Sequence, residues 1–239
     1  NFGSGGNFGP LQSFIIYRDL AKKFPHNEVV FLFLPANDFH DNDFEYFKKN
    51  KLKNKYRPYI RQLNLDSFDF FYPEGSIPQK DFPYENVLIK KSDIIKKILK
   101  EYTWSYNLLK TIKYSIIQKK NPYTISEKNF GYFFDDKYFV DGTIFFIEKI
   151  FTEVDSKFKK ALMIIPTEKD LINILEKGTT YKKLNWYKKL NLSSKKNNFK
   201  IIDLALNYEN EYSSEYIKNG LENWYLKCDG HWNKNGHLL

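Results

Sequence analysis

Several residue types are scarce in this sequence, and each scarcity excludes something. Its 239 residues contain one cysteine, Cys228, so no intramolecular disulfide framework can form, although the compartment stays open. There is one methionine, Met163, and the first residue is Asn1. The chain therefore reads as a processed or partial product, with Gly236-His237-Leu238-Leu239 as a helix interrupted just after its start. No apolar run approaches the roughly eighteen residues that a membrane-spanning helix needs. Only three of the 38 basic residues are arginine, Arg18, Arg57 and Arg61. Arginine supplies the bidentate base and phosphate contacts of specific nucleic-acid readers. The formal net charge of +9 is instead carried by lysines scattered in pairs such as Lys48-Lys49, Lys96-Lys97 and Lys195-Lys196. No nucleic-acid partner is expected from this pattern, and a lysine-rich nucleic-acid-binding module is the weakest of the alternatives.

What is plentiful points to a folded domain. The chain is 42% hydrophobic and 18% aromatic, too apolar for a disordered segment. Its length suits one large domain, or one domain carrying an insertion. Pro10 suits a helix start, and Leu11, Phe14, Ile15 and Leu20 carry the period to about Phe24. Val29 to Leu34 is an unbroken apolar run, the pattern of a parallel strand covered on both faces. Alternation resumes after about residue 135. Helices are expected at 141–155, 168–177, 181–192 and 214–225, and strands at 161–165 and 200–204. Helices alternating with short apolar strands predict a parallel sheet in an α/β sandwich. Residues 40–135 are less regular and rich in lysine and aromatics, and they read as an insertion within a single domain spanning 1–239. Inside it Ser92 to about Gln118 follows the helical period, as a cap helix in preference to a surface-active membrane helix.

Ligands of an open parallel sheet sit beyond the carboxyl ends of its strands. Three segments belong there: the glycine turn Gly3-Ser4-Gly5-Gly6, the Pro35-Ala36-Asn37-Asp38 stretch, and Asp229-Gly230-His231-Trp232-Asn233. Backbone N–H groups in a glycine turn can face an oxyanion, an asparagine amide can add a donor, and a histidine beside an aspartate can act as an oriented general base. Each has a plainer reading, as a turn, a strand-ending Asx turn or a packed histidine. Ser4 is not an elbow nucleophile, because Phe2 stands where the first glycine belongs. The glycine turn is not a dinucleotide fingerprint, because Phe8 replaces the third glycine. Asp38, His40, Asp41 and Asp43 crowd together without the glycine of a calcium loop, so a solvated acidic turn is expected there and no metal. Cys228 reads as structural.

In combination the three segments resemble the SGNH (GDSL-like) hydrolase family. The resemblance is specific at residues 1–43 and 226–239 and topological between them. It implies a three-layer α/β/α sandwich with a parallel sheet, the flavodoxin-like SGNH fold, with the helical, aromatic-rich insertion at 40–135. By resemblance Gly6 and Asn37 donate to the oxyanion, His231 is the base and Asp229 orients it. Only Gly230 separates Asp229 from His231, which is similar to O-acetyl-transferring relatives that act on polysaccharides. The family's Gly-Asp-Ser block is missing and is expected shortly before Asn1, so the nucleophile lies outside these residues and the chain by itself is expected to be inactive. The implied activity is that of a serine esterase, removing or transferring acetyl or other acyl groups on carbohydrate or small esters. No cofactor is implied. A membrane association would have to come from an N-terminal segment upstream of the chain, and the compartment is open, with cell envelope or secretion ahead of cytoplasm. A non-catalytic, glycan-binding member of the same fold is the alternative.

Overall fold

The structure, a computed structural model, describes residues 8–49, 57–64, 67–73, 108, 130–226 and 232–236. Contacts divide the chain into two compact units, Asn1–Ser76 with Lys128–Leu239, and Ile77–Glu127. Every element below belongs to the first unit. The helix expected at 92–118 falls, apart from residue 108, outside the described residues.

Three strands, β1 (Glu28–Phe33), β4 (Lys159–Ile164) and β5 (Lys200–Asp203), form a parallel sheet in the order β1-β4-β5. Phe33 lies beside Ile164 and Ile164 beside Asp203, so the three carboxyl ends are level. The α/β class with a parallel sheet expected from the alternation is therefore present. One expectation about β1 fails. Val29, Phe31 and Phe33 turn into the core, but Val30 and Leu32 on the other face are 53% and 55% exposed. Among the described residues β1 pairs with β4 alone. An unbroken apolar run records suitability for burial on both faces, not the presence of both neighbours.

The helices are α1 (Pro10–Asp19), α2 (Pro35–Asp38), α3 (Phe44–Lys49), α4 (Lys137–Glu153), α5 (Glu168–Lys177), α6 (Asn185–Asn197), α7 (Leu204–Glu211) and α8 (Ser214–Trp224). The centre of the packing is α4. One stripe of it, Val140, Ile144, Ile147 and Phe151, joins the main core with Phe33, Leu162 and Ile164 of the sheet. A second stripe, Phe146 and Ile150, forms a smaller core with Leu11 and Phe14 of α1 and with Ile60 and Phe68. Each such fully buried side chain contributes roughly 1.5–3 kcal/mol. Ile60 and Phe68 come from an antiparallel hairpin, β2 (Tyr59–Asn64) and β3 (Ser67–Phe71), which the sequence reading did not anticipate. Gly142 lets this hairpin approach α4, since a Cβ there would meet Ile60 at 3.2 Å.

Helix ends account for most boundary differences. α4 starts at Lys137 rather than 141 because the Asp136 carboxylate accepts from Tyr138 N and Phe139 N. α5 has the expected bounds, with Thr167 and Asp170 capping each other. The helix expected at 181–192 is a 3₁₀ stretch at Gly178–Lys183 followed by α6, which ends on Asn198 in the left-handed region at φ 51°. β5 stops at Asp203, whose carboxylate caps the unanticipated α7 through Leu206 N at 3.4 Å. The first helix stops at Asp19, and Ala21–Lys23 continue it as one 3₁₀ turn.

Asp170 also fixes the approach to α4. It is fully buried and accepts from Tyr132 N at 2.9 Å, from the 3₁₀ turn Gly131–Phe133. Gly131 has φ +55°, and a Cβ on it would sit 1.8 Å from Asp170 Oδ1. Gly131→Ala should therefore destabilise the fold by more than about 2 kcal/mol, combining left-handed strain with displacement of a buried carboxylate from its donors. A urea unfolding curve with an unchanged midpoint would contradict this account.

Candidate functional site

The carboxyl end of the sheet divides into a satisfied half and an unsatisfied half. At the β5 side, Asp203 is 4% exposed and receives three phenols. Tyr132 donates to Oδ1 at 3.1 Å, while Tyr181 and Tyr187 donate to Oδ2 at 2.7 and 3.3 Å. Trp186 donates its ring N–H to the Tyr132 carbonyl at 2.9 Å. Burial, and then the Asp203 charge, pushes all three phenols above their ordinary range, so they remain protonated donors. The sequence reading missed this group. Its members lie 16 to 71 residues from Asp203 and form no motif. The arrangement closes that end of the sheet with paired groups.

The β1 side differs. Pro35 opens the single-turn helix α2 directly after β1, and Asn37 N and Asp38 N both donate to Leu34 O. The turn is locked from inside, because Asp38 Oδ2 accepts from Leu34 N at 2.7 Å. Burial pushes the Asp38 carboxyl well above its ordinary value, against the opposing pull of that backbone bond. Asn37 is half-buried, and its Nδ2 donates to Asp41 Oδ2 at 2.8 Å. That bond fixes the amide's orientation and uses one of its two N–H groups. The next turn is tied to α1 and the hairpin through buried amides. Leu11 N donates to Asn42 Oδ1 at 3.2 Å, Ile60 N donates to Asn42 O at 2.9 Å, and Gln12 Nε2 donates to Pro58 O at 2.7 Å.

Unsatisfied groups concentrate here. Seven buried side-chain atoms lack a hydrogen-bond partner among the described residues, and six of them belong to Asn37, His40, Arg57 and Tyr59. His40 is boxed by rings, stacked on Tyr46 at 4.4 Å with Phe134 and Phe139 edge-on at 4.8 and 5.0 Å. Burial depresses its pKa, opposed by the Asp136 carboxylate. The acidic residues nearby are occupied individually. Besides Asp38 and Asp41, Asp43 accepts from Tyr46 N and from the Tyr138 hydroxyl. Among the described residues no group of three or more His, Cys, Asp or Glu is placed to hold a metal.

Of the site residues expected from the sequence, Asn37 is described, and Gly6, Asp229 and His231 lie outside the described residues, as do Ser4 and Cys228. The flanks of the 227–231 segment are described. Tyr225 and Trp232 form an antiparallel bridge, and Asn233 N donates to Trp224 O at 2.8 Å. Asn233 Oδ1 accepts from Asn235 N and Gly236 N, which shapes the turn that follows. The Tyr225 hydroxyl donates to Pro166 O at 3.3 Å, two residues beyond the end of β4. The bridge is thus tethered, through Tyr225, to the chain just beyond the carboxyl end of β4, the strand next to the one that leads to Asn37.

A groove of about 610 Å³ lies elsewhere, along β1 and lined by Ile16, Tyr17, Val30 and Leu32. Its one histidine, His26, has both ring nitrogens engaged, with Tyr17 Oη at 3.0 Å and Phe24 O at 2.6 Å. It is an apolar trough without convergent reactive groups.

The imidazole of His40 gives a measurable pH signature. Its folded pKa lies below the ordinary 6.5, so the native state disfavours the proton that the unfolded chain accepts. The associated stability is complete above about 6.5 and is lost as pH falls below that value toward the depressed folded pKa. His40→Phe keeps the stack on Tyr46 and should flatten this acid limb relative to the unaltered protein. Two superimposable stability–pH curves between about 7 and 5 would refute the assignment.

No family model, curated protein or solved structure matches the chain.

Proposed function

We propose that the chain is the larger part of an SGNH-type ester hydrolase domain, with the flavodoxin-like three-layer sandwich that this implies. The supporting observation is the convergence at one sheet end. Asn37 follows β1 with its amide oriented by Asp41. The bridge that brackets Asp229 and His231 is tethered to Pro166, just beyond the adjacent β4.

The chemistry follows the serine hydrolase template. A serine preceding Asn1 attacks the ester carbonyl. His231 takes its proton and returns it to the leaving alcohol, and Asp229 holds the imidazole in the required tautomer. The developing oxyanion is received by Gly6 N–H, the free N–H of the Asn37 amide and the serine's own N–H. Asp41 contributes by orientation, since an amide anchored at one N–H presents the other in a fixed direction. Acetyl esters on carbohydrate are the favoured substrates, ahead of small acyl esters. Water or a sugar hydroxyl then resolves the acyl-enzyme, giving hydrolysis or transfer.

The test is ester turnover by a longer form of the protein that includes the preceding segment, with p-nitrophenyl acetate and an acetylated polysaccharide as substrates. Asn37→Ala should lower kcat by roughly two to three decades, the usual cost of one oxyanion donor, while the melting temperature changes little. His231→Ala should abolish turnover. A folded wild-type protein that binds the polysaccharide without releasing acetate would make it a glycan-binding member of the fold instead. Full activity in the Asn37→Ala variant would remove Asn37 from the site.

A further inference from the structure

Arg57 is the exceptional arginine of this chain. The other two lie at the surface with carboxylates, Arg18 with Asp19 at 2.6 Å and Arg61 with Asp69 at 3.0 Å. Arg57 is 1% exposed, and among the described residues no acceptor reaches its Nε, Nη1 or Nη2. Two rings lie against it, with the guanidinium carbon 4.0 Å from the Phe47 ring centroid and 5.0 Å from that of Tyr59. A ring attracts the charge of a guanidinium but does not replace the oxygen acceptors that its five N–H donors require. A buried charge with an unmet edge is among the costliest groups a fold can hold. Beside it, Tyr59 is fully buried and its hydroxyl is likewise without a partner among the described residues.

The two side chains are firmly mounted. They stand two residues apart, and the backbone between and beyond them is fixed by Gln12 Nε2 on Pro58 O and by Ile60 N on Asn42 O. Phe47, which covers the guanidinium, comes from α3, and Phe44 of the same helix packs edge-on against Tyr59 at 5.2 Å. The acidic side chains preceding α3 already serve other donors: Asp38 binds Leu34 N, Asp41 binds Asn37, and Asp43 binds Tyr46 N. Aromatic surroundings, a forked cation and a neighbouring hydroxyl are the chemistry that suits a small oxyanion, with the fork donating to two oxygens and the phenol to a third.

We propose that Arg57 and Tyr59 bind a small oxyanion, a carboxylate or a phosphoryl group, between α3 and the start of β2. The inference is independent of the esterase reading, since it needs neither Asn37 nor His231.

Thermal unfolding of the protein in graded acetate, inorganic phosphate or chloride at matched ionic strength tests it. The expected result is a saturable rise in Tm with acetate or with phosphate, identifying the carboxylate or the phosphoryl group respectively, and none with chloride. Arg57→Met keeps the packing volume and should abolish the rise. Tyr59→Phe keeps the ring and should weaken the apparent Kd by about tenfold, the loss of one hydrogen bond to a charged group. If Arg57→Met does not fold, Tyr59→Phe and direct calorimetric titration of the wild type with each anion decide the matter. Identical melting of the wild type in all three salts, with no heat of binding, overturns the proposal. A saturable rise that persists in Arg57→Met overturns it as well.

Discussion

The structure depends on one helix having to be covered twice. α4 presents Val140, Ile144, Ile147 and Phe151 along one side and Phe146 and Ile150 along another, too much apolar circumference for a surface helix. The sheet covers the first side. α1 and the β2–β3 hairpin cover the second, and Gly142 provides the close approach that this requires. α4 is thus a wall shared by two cores, and the segments after β1 are held between them. Asn42 and Gln12, both buried, stitch α1, the post-β1 turn and the first residues of β2 into one framework. The unsatisfied polar groups are mounted on that framework, so their positions follow from the packing of α4.

The sheet's carboxyl end shows how a fold separates structural polarity from chemical polarity. Asp203 and its three tyrosines are a closed set: every hydroxyl has an acceptor, burial keeps the phenols protonated, and the group anchors α6 and α7 to β5. Buried networks of this kind rigidify when complete. Beyond β1, at the opposite side of the sheet, and at the start of the hairpin, Asn37, His40, Arg57 and Tyr59 keep donors or acceptors unused among the described residues. Unspent hydrogen-bonding capacity in a buried place carries a free-energy cost that packing alone does not explain.

Much of the sheet was legible in the sequence, because β1, β4 and β5 are short apolar runs between helical periods and a parallel arrangement follows from their spacing. α5 was legible to the residue, since Thr167 and Asp170 form a reciprocal cap. α7 was missed because Leu204-Ala205-Leu206 looks like a continuation of the apolar strand, and only the capping role of Asp203 reveals the change. The hairpin was missed although Phe68 and Phe70 alternate with Ser67 and Asp69. A strand pattern with exposed Leu63 on its partner resembles an irregular, aromatic-rich loop. The place of Asn37 just beyond the carboxyl end of β1 was legible, because it follows directly on an apolar strand run. Arg57 and Tyr59 were not. Their significance lies in having no partner, and a missing partner is a property of three-dimensional surroundings.

β1 has a further consequence. Edge strands in natural sheets are usually blunted by lysine, proline or a bulge at mid-strand. Here the charged groups sit at the strand's start, where Glu28 pairs with Lys159, and the middle presents exposed Val30 and Leu32, with β4 the one strand paired to β1 among the described residues. Apolar side chains beside backbone that has no strand partner among the described residues form a seam on which a further strand can add.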